Sequence, residues 1–279
     1  MQGTESAILL CIAFARINEQ ERTGDMVKYD VQDCLLTAKY QLTPTIYDFR
    51  LKNEELAELT RPGQFVHILI PGKTLRRPIS VCDVENGEIR IVFEVRGEGT
   101  AILAECNTGS LINIIAPLGN GFETDKTKKT VFIGGGIGVP PMLYSAKNGG
   151  EGSVVINGFR DKSAVILSKD FRSTGLRVIE TTDNGSYGIH GFVTEPLKEV
   201  IADMDRVCAC GPMPMLKNIA KIAKEFNKPC FVSLEQRMAC GVGACLGCAV
   251  AIKDGDSIRY KHVCKEGPVF SGEEVEWNG

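Results

Sequence analysis

Four cysteines near the end of the chain have the residue type and the spacing of an iron–sulfur site. Cys240, Cys245 and Cys248 follow the pattern C-x4-C-x2-C, and Cys264 comes after fifteen further residues. This is the spacing of plant-type [2Fe–2S] ferredoxins. The residues around them are small, which lets backbone N–H groups approach the cluster sulfides: Ala239, Gly241, Gly243, Ala244, Gly247 and Ala249. A structural zinc site is the alternative, but zinc sites favour two C-x2-C units and only one is present here.

A glycine-rich segment in the middle of the chain has the composition of a phosphate-binding turn. Residues 134–142 read GGGIGVPPM, after an apolar run typical of a strand and before a predicted helix that begins near Pro140. Glycines let the backbone approach a pyrophosphate, and the helix start offers unpaired N–H donors. Proline suits the first helical turn. A tight strand-to-helix turn without a ligand is the alternative.

A second segment, Cys210-Gly211-Pro212, ends another predicted strand and precedes another predicted helix. In open α/β folds, ligands bind at the edge where parallel strands have their carboxyl ends. Cys210 is therefore a candidate neighbour of a nicotinamide ring. A buried thiol at the end of a strand is the equally simple interpretation.

Two arginine-containing motifs in the first half of the chain predict a further phosphate site. Residues 76–80 read RRPIS, which offers guanidinium donors to a phosphate and a serine hydroxyl to a ring nitrogen. Residues 96–100 read RGEGT and precede a predicted helix whose first N–H groups would be free. Two arginines at the start of a strand are more often a solvated surface. Together with the glycine turn, however, these motifs indicate two phosphate-bearing cofactors.

The composition excludes several classes of function. The chain has 279 residues, a net charge of −3 and 43% hydrophobic residues, which is ordinary for a globular protein and gives no basic footprint for nucleic acid. Eleven cysteines in a chain of this size favour unpaired thiols in a reducing cytoplasm. Residues 7–15 are apolar but too short to span a bilayer, and they lack the basic start of a signal peptide.

The pattern of strands and helices divides the chain into four parts. Residues 1–26 are an extension of unknown structure. Residues 27–125 carry short strands separated by turns, which predicts an antiparallel β-barrel. Residues 126–228 alternate strands and helices, which predicts a doubly wound parallel-sheet α/β domain. Residues 229–279 form a small module with the cysteine motif.

Taken together, these motifs resemble those of the ferredoxin–NADP reductase superfamily. The segments MACGVGACLGC (238–248) and HVCKEGPVF (262–270) narrow the resemblance to the electron-transfer subunits of dihydroorotate dehydrogenase B. The resemblance extends over residues 26–270 and implies FAD, a [2Fe–2S] cluster and NAD as cofactors. It departs from the superfamily at Ile79, where a tyrosine that stacks on the flavin is common.

The resemblance implies a position for each cofactor. FAD would be held in the barrel by Arg77, Pro78, Ile79, Ser80, Val92, Phe93, Glu94, Gly99 and Thr100. NAD would be received by Gly135, Gly136, Gly138, Pro140, Cys210, Gly211 and Pro212. The cluster would be ligated by Cys240, Cys245, Cys248 and Cys264.

The resemblance also implies an activity, that of an NAD-linked oxidoreductase subunit in pyrimidine biosynthesis. Electrons would come from an FMN-containing dihydroorotate dehydrogenase partner, in a heterotetramer of two plus two chains, and reduce NAD+. A reductase subunit of another flavin and iron–sulfur complex is the alternative, of the ferredoxin:NAD(P) or sulfide dehydrogenase type. No residue is predicted as an acid–base catalyst, and His67, within FVHILI, is predicted to be core or flank. Preference for NAD or NADP stays open, since Arg160 offers a partner for a 2′-phosphate.

Overall fold

The computed structural model describes residues 29–277. The predicted extension, residues 1–26, and Cys11 lie outside the described residues. The described chain forms a six-stranded barrel, a seven-stranded sheet flanked by helices, and a two-stranded hairpin. None of its helices is long and apolar enough to cross a membrane.

The first part of the described chain is a closed antiparallel barrel, as predicted from its short strands. Its strands run in the order β1-β2-β5-β4-β3-β6. Their bounds are β1 Asp30–Gln41, β2 Ile46–Lys52, β3 Phe65–Ile68, β4 Arg77–Glu85, β5 Glu88–Glu94 and β6 Leu111–Leu118. Alternate side chains fill the interior with apolar groups, because side chains along a strand point to opposite faces: Leu36, Phe49, Leu51, Val66, Ile68, Val81, Ile89, Ile91, Phe93, Ile112 and Ile114.

Two helices connect the barrel strands. Helix α1 (Glu54–Leu59) was not anticipated, because its six residues are too few to show a helical period. It is set by Asn53, whose side chain accepts the Leu56 N–H at 3.0 Å, and by the burial of Leu56 and Ala57. Helix α2 (Glu98–Glu105) follows the predicted RGEGT turn.

The second part of the chain is a doubly wound α/β unit, as predicted. Its sheet has the order β10-β9-β8-β7-β11-β12-β15. The strands are β7 Thr130–Gly135, β8 Val154–Phe159, β9 Arg177–Thr182, β10 Ile189–His190, β11 Arg206–Cys210, β12 Cys230–Ser233 and β15 Val269–Ser271. The helices are α3 Pro140–Lys147, α4 Ser168–Arg172, α5 Thr194–Val200 and α6 Met213–Glu225. Strands β7 to β10 follow one another toward one edge of the sheet, and β11 and β12 follow toward the other edge. The strand order therefore reverses between β7 and β11, and the carboxyl ends of these two strands form the topological switch point.

The cysteine segment is inserted between two strands of this sheet. Strand β12 pairs in parallel with β11, and β15 pairs antiparallel with β12. Both strands lie within residues 229–279, the range predicted as a separate module, and both complete the α/β sheet. Between them, strands β13 (Ala249–Asp254) and β14 (Ser257–His262) form the hairpin. The segment is therefore fixed to the sheet edge at both ends.

Buried ion pairs join the barrel to the α/β unit. Arg90 on β5 donates to both carboxylate oxygens of Asp48 on β2, at 2.7 Å for the Nη2–Oδ2 pair, and also pairs with Asp170 on α4. Lys147, at the end of α3, pairs with Asp83 on β4 at 2.5 Å. Asp48, Asp83 and Arg90 are buried. Since both links run between the two domains, they fix the orientation of one domain against the other.

Replacement of Arg90 by methionine should destabilise the protein strongly. The substitution leaves Asp48 buried without its main partner, and such broken buried pairs cost about 3–5 kcal/mol. Lys198→Met is the matched control, because the Lys198–Glu195 pair is exposed and is worth about 0–1 kcal/mol. Urea unfolding followed by circular dichroism measures both variants. Equal losses of stability in the two variants would contradict the role assigned to Arg90.

Candidate cofactor sites

The four predicted cluster cysteines lie together at one end of the inserted segment. Cys240, Cys245 and Cys248 lie on the loop before β13, and Cys264 lies in the turn after β14. They form two pairs: the Cys245 thiol hydrogen-bonds to Cys240, and the sulfurs of Cys248 and Cys264 are 3.3 Å apart. Among the described residues, no three Cys, His, Asp or Glu side chains converge on one point, as they do around a single metal ion. Two pairs of thiols suit a cluster of two irons with two protein ligands each.

The backbone of this loop is directed at the thiol sulfurs. Four N–H groups donate to sulfur at 3.1–3.5 Å: Val242, Ala244 and Cys245 donate to Cys240, and Gly243 donates to Cys264. Burial opposes ionisation of Cys240, but these N–H groups outweigh it and lower its pKa to about 7. Burial raises the pKa of Cys264 to about 12. The loop thus fits an anionic sulfur cluster, whose potential depends on such hydrogen bonds.

The predicted nucleotide motifs meet at the topological switch point. Gly134, on β7, is paired in register with Cys210 on β11. A Cβ atom on Gly138 would lie 2.5 Å from the Cys210 carbonyl oxygen, and one on Gly135 would lie 2.5 Å from the Met215 sulfur. The two loops can therefore touch only because these positions are glycine. Burial raises the pKa of the Cys210 thiol to about 12, so this thiol is not a ready nucleophile.

Two helices begin at this point, but the start of α3 offers no free N–H group, because Pro140 and Pro141 carry none and the Met142 N–H donates to the Val139 carbonyl at 3.0 Å. Helix α3 starts at Pro140 and α6 starts at Met213, and within the described chain no side chain caps either start. Gly136, with φ +55°, has open space in front of its Cα among the described residues. The uncapped start of α6 next to an open glycine turn suits the pyrophosphate of a dinucleotide.

Two buried polar side chains near this edge were missed by sequence reasoning. Asn157, on β8 opposite Gly134, is fully buried, and its amide atoms have no hydrogen-bond partner within residues 29–277. The Thr181 hydroxyl on β9 is unpartnered in the same sense. The signal was an asparagine at the end of the apolar run SVVIN. Buried polar atoms usually have partners, so these atoms fit a polar ligand at the carboxyl edge of the sheet.

The predicted FAD residues lie on β4, β5 and the start of α2. A Cβ atom on Gly99 would lie 2.7 Å from Arg77 Nε, so the guanidinium lies directly against the first turn of α2. The Thr100 hydroxyl accepts the Arg96 N–H at 3.0 Å and fixes this turn. The first N–H groups of α2 have no side-chain cap among the described residues. A guanidinium beside an uncapped helix start fits a pyrophosphate.

The remaining predicted FAD residues differ in where their side chains lie. Ile79 and Ser80, on β4, are half-buried. Phe93 lies in the barrel interior, edge-on to Phe49 at 5.1 Å, so only its backbone faces outward. Val92 packs toward the α/β unit, and Glu94 pairs with Arg96 at 2.6 Å.

His67 lies between the barrel site and the cysteine loop. It is on β3, paired in register with Pro78 of the predicted FAD motif. A Cβ atom on Gly241 would lie 2.3 Å from its Nδ1, so the ring rests on the residue after Cys240. The prediction of a core or flank position agrees with its burial, but its contact with the cysteine loop carries no local sequence signal.

One cleft in the α/β unit lies away from all three sites. It has a volume of about 620 Å³ and is lined by residues at the amino ends of β8 and β9, among them Gly150, Arg177 and Asp203. Ligands of doubly wound sheets bind at the opposite, carboxyl edge. The glycine turns, and not this cleft, therefore lie where the nucleotide is predicted to bind.

Comparison with known proteins decides the family. The chain is 44% identical over 216 residues to the dihydroorotate dehydrogenase B (NAD(+)) electron transfer subunit of Caldanaerobacter subterraneus, which covers 77% of this chain and 86% of that protein. It is 39% identical over 240 residues to the subunit of the same name from Geobacillus thermodenitrificans, with 82% and 92% covered. The chain belongs to the family of dihydroorotate dehydrogenase B electron transfer subunits. Residues 235–276 also match the model of the iron–sulfur cluster binding domain of dihydroorotate dehydrogenase B.

A solved structure supports the fold. The NADH-dependent reduced ferredoxin–NADP oxidoreductase, described for flavin-based electron bifurcation, has a chain that aligns with a TM-score of 0.80 and 30% identity. The alignment covers 92% of each chain. The matched iron–sulfur domain of the dihydroorotate dehydrogenase B family begins directly after β12 and contains all four cysteines and strand β15.

Substitution of Cys264 by serine should remove the cluster. The variant loses one member of the Cys248–Cys264 pair, and iron should fall from about two per chain to below about one. Cys106→Ser is the control, because Cys106 is a free, half-buried thiol on the barrel. Iron and labile sulfide assays with electron paramagnetic resonance measure both. A Cys264→Ser protein with full iron content and an unchanged signal would contradict the assignment.

Substitution of Gly138 by alanine should weaken NADH binding at least about tenfold, or about 1.4 kcal/mol. The added methyl would lie 2.5 Å from the Cys210 carbonyl and push the two loops apart. Gly175→Ala is the control, because it adds a methyl that meets no described atom within 4 Å, at a residue with φ +77°. Fluorescence titration with NADH measures both. Wild-type affinity in Gly138→Ala would place the nucleotide elsewhere.

Proposed function

We propose that this chain holds FAD on the barrel, a [2Fe–2S] cluster in the cysteine loop and NAD at the switch point. Its activity is the transfer of electrons from a dihydroorotate-oxidising partner to NAD+, as an NAD-linked oxidoreductase component in pyrimidine biosynthesis. A bound flavin supplies the chemistry that connects hydride exchange with nicotinamide to the one-electron chemistry of an iron–sulfur centre. The relatives that match it at 44% and 39% identity are named for this electron-transfer role.

The continuity of the three sites carries the proposal. The cysteine loop rests through Gly241 on His67 of β3. Strand β3 pairs with β4, which carries the predicted FAD motif. Strand β4 packs in turn against α3, which begins at the glycine turn. Directly packed elements therefore connect one site with the next, as a chain of electron carriers requires.

The residues of the chain bind and orient in this proposal and do not exchange protons. Arg77 and the start of α2 neutralise phosphate charge on the barrel. The glycine turn before α3 and the uncapped start of α6 do so at the switch point. Cys210, with its raised pKa, stays a neutral thiol and closes the floor of the nucleotide site. Hydride exchange needs alignment of two rings, which these backbone positions set.

Oxidation of dihydroorotate belongs, in this proposal, to a separate FMN-containing catalytic chain, in a complex of two plus two chains. Leu246, between Cys245 and Cys248, is 78% exposed. Ile258 and Tyr260, on the hairpin strand β14, are exposed as well. Apolar side chains around the cluster loop suit a protein interface there.

NAD is the proposed nicotinamide cofactor, and the cytoplasm is the proposed compartment. The names of the two relatives specify NAD(+). Arg160, the candidate partner of a 2′-phosphate, forms a 3.1 Å ion pair with the neighbouring Asp161. No cysteine within residues 29–277 forms a disulfide, as expected of a reducing compartment.

A reductase subunit of another flavin and iron–sulfur complex is the second candidate. It is favoured by the structural match, at a TM-score of 0.80, to the NADH-dependent reduced ferredoxin–NADP oxidoreductase. The sequence identity of that chain is 30%, against 44% for the first of the two relatives named above.

Anaerobic reduction of the purified complex tests the function. The chain, co-expressed with a dihydroorotate dehydrogenase catalytic subunit, should reduce NAD+ when dihydroorotate is added, and the Cys264→Ser complex should not. NADH should still reduce the flavin of both, because that step needs no cluster. The opposite result has two parts: in the intact complex, dihydroorotate reduces only the partner chain, and reduced ferredoxin drives the reduction of NAD(P)+. This result would favour the second candidate.

A further inference from the structure

The segment that follows the last barrel strand is bound to the barrel. This segment, the linker, comprises residues 119–122 (GNGF) directly after β6. Gln64, next to β3, donates to the Gly119 carbonyl at 2.8 Å. The Phe122 N–H donates to the Pro62 carbonyl at 2.9 Å. A side-chain bond and a backbone bond therefore fix the linker at both of its ends.

The linker is packed closely on two sides. A Cβ atom on Gly121 would lie 1.9 Å from the Pro62 carbonyl oxygen, on the side of the barrel. A Cβ atom on Gly119 would lie 2.7 Å from the Gly267 carbonyl oxygen and 2.5 Å from Pro268 Cδ, on the side of the cysteine segment. Because neither position has room for a side chain, the linker backbone lies directly between the barrel and the cysteine segment.

Asn120, in the middle of the linker, binds the turn that carries Cys264. Its side-chain amide donates to the carbonyls of Lys265 and Glu266, each at 3.2 Å. Its backbone N–H donates to the Gly267 carbonyl at 2.5 Å. These three carbonyls belong to the three residues that directly follow Cys264 in the chain. One residue of the linker therefore holds the carbonyl groups of this turn.

The N–H groups of the same turn are bound within the cysteine segment. Those of residues 265–267 donate to the His262 carbonyl at 2.9–3.3 Å. The sulfur of the buried Cys264 accepts the Gly243 N–H at 3.1 Å. With its N–H groups bound from one side and its carbonyls from the other, the turn keeps the Cys264 backbone in one place.

We propose that Asn120 is a positioning residue of the cluster site, which holds the Cys264 turn so that this cysteine stays beside Cys248 as a pair of ligands. The two sulfurs are 3.3 Å apart. Groups that orient a metal ligand without touching the metal strengthen the hold of the site on its metal. Because the linker is bound to the barrel as well, Asn120 ties one predicted ligand to the domain proposed to hold FAD. The inference rests on the proposed cluster site.

Two substitutions of Asn120 test this role. Asn120 is exposed, so its replacement leaves the apolar core intact. Asn120→Asp keeps the size of the side chain but places a carboxylate, which has no donor when ionised, opposite the carbonyls. Asn120→Ala removes the donor without adding a charge. Asn148→Asp is the matched control, because the Asn148 amide donates to the Tyr144 carbonyl at 2.9 Å at the end of α3.

The release of iron to a chelator measures the hold on the cluster. The purified full-length protein, with its FAD and its cluster, is mixed with an excess of a chelator that becomes coloured on binding iron. We expect both Asn120 variants to release iron about fivefold faster than the wild type, as the loss of about one net hydrogen bond implies. Asn148→Asp should release iron at the wild-type rate.

FAD content and the midpoint of urea unfolding, measured on the same samples, separate positioning from general loosening. We expect both to equal the wild-type values in the Asn120 variants. Wild-type rates of iron release in these variants would overturn the inference, and so would faster release with an equal loss of FAD and stability. If Asn120→Asp does not fold, Asn120→Ala is judged by the same criteria. A wild-type protein without iron would instead overturn the cluster site itself.

Discussion

The outer faces of two neighbouring barrel strands hold the rest of the molecule in place. On β3, Phe65 joins the apolar cluster that contains Val232 of the sheet and Cys248 of the cysteine loop. On β4, the packing partner is α3, at whose start the glycine turn lies. Because β3 and β4 are hydrogen-bonded to each other, these two contacts set the relative positions of all three sites. The relative placement of the proposed cofactor sites therefore depends on this pair of strands together with the ion pairs between the domains.

The buried charges have a place in this arrangement. Arg90 and Asp48 are costly to bury, and an apolar pair would pack as well. Arg90 also pairs with Asp170 of the α/β unit, and this ion pair fixes the orientation of the two domains. Apolar surfaces alone would allow the domains to slide against each other. The ion pair between Lys147, at the end of α3, and Asp83, on β4, is a second such link between the two domains. The alignment of the nucleotide site with the barrel is thus set by charge as well as by apolar contact.

The sequence predicted most of the fold because its signals are local. Strand alternation, turn residues and the change of rhythm near residue 128 led to the barrel and the doubly wound sheet. The four cysteines were found from spacing, and the glycine turns from their position after strands. Their roles as ligands and cofactor contacts stay predictions, which the placement of the residues supports.

What the sequence did not show depends on tertiary contacts. Strands β12 and β15 are four and three residues long, and their place in the sheet comes from pairing across an insertion. The inward direction of Phe93 depends on the register of β5. The contact between His67 and Gly241 joins residues far apart in the chain, and no local pattern contains it. The polarity of His67 within an apolar run was the one available hint.

The attachment of the cysteine segment at both ends has a consequence for maintenance of the protein. Strand β12 is hydrogen-bonded to β11 on one side and to β15 on the other, and these ladders do not include the four predicted cluster cysteines. The frame around the cysteine loop therefore owes its stability to the sheet. Small metal modules, by contrast, draw their folding free energy from the ion itself. Oxidative loss of the inorganic centre would leave this frame standing.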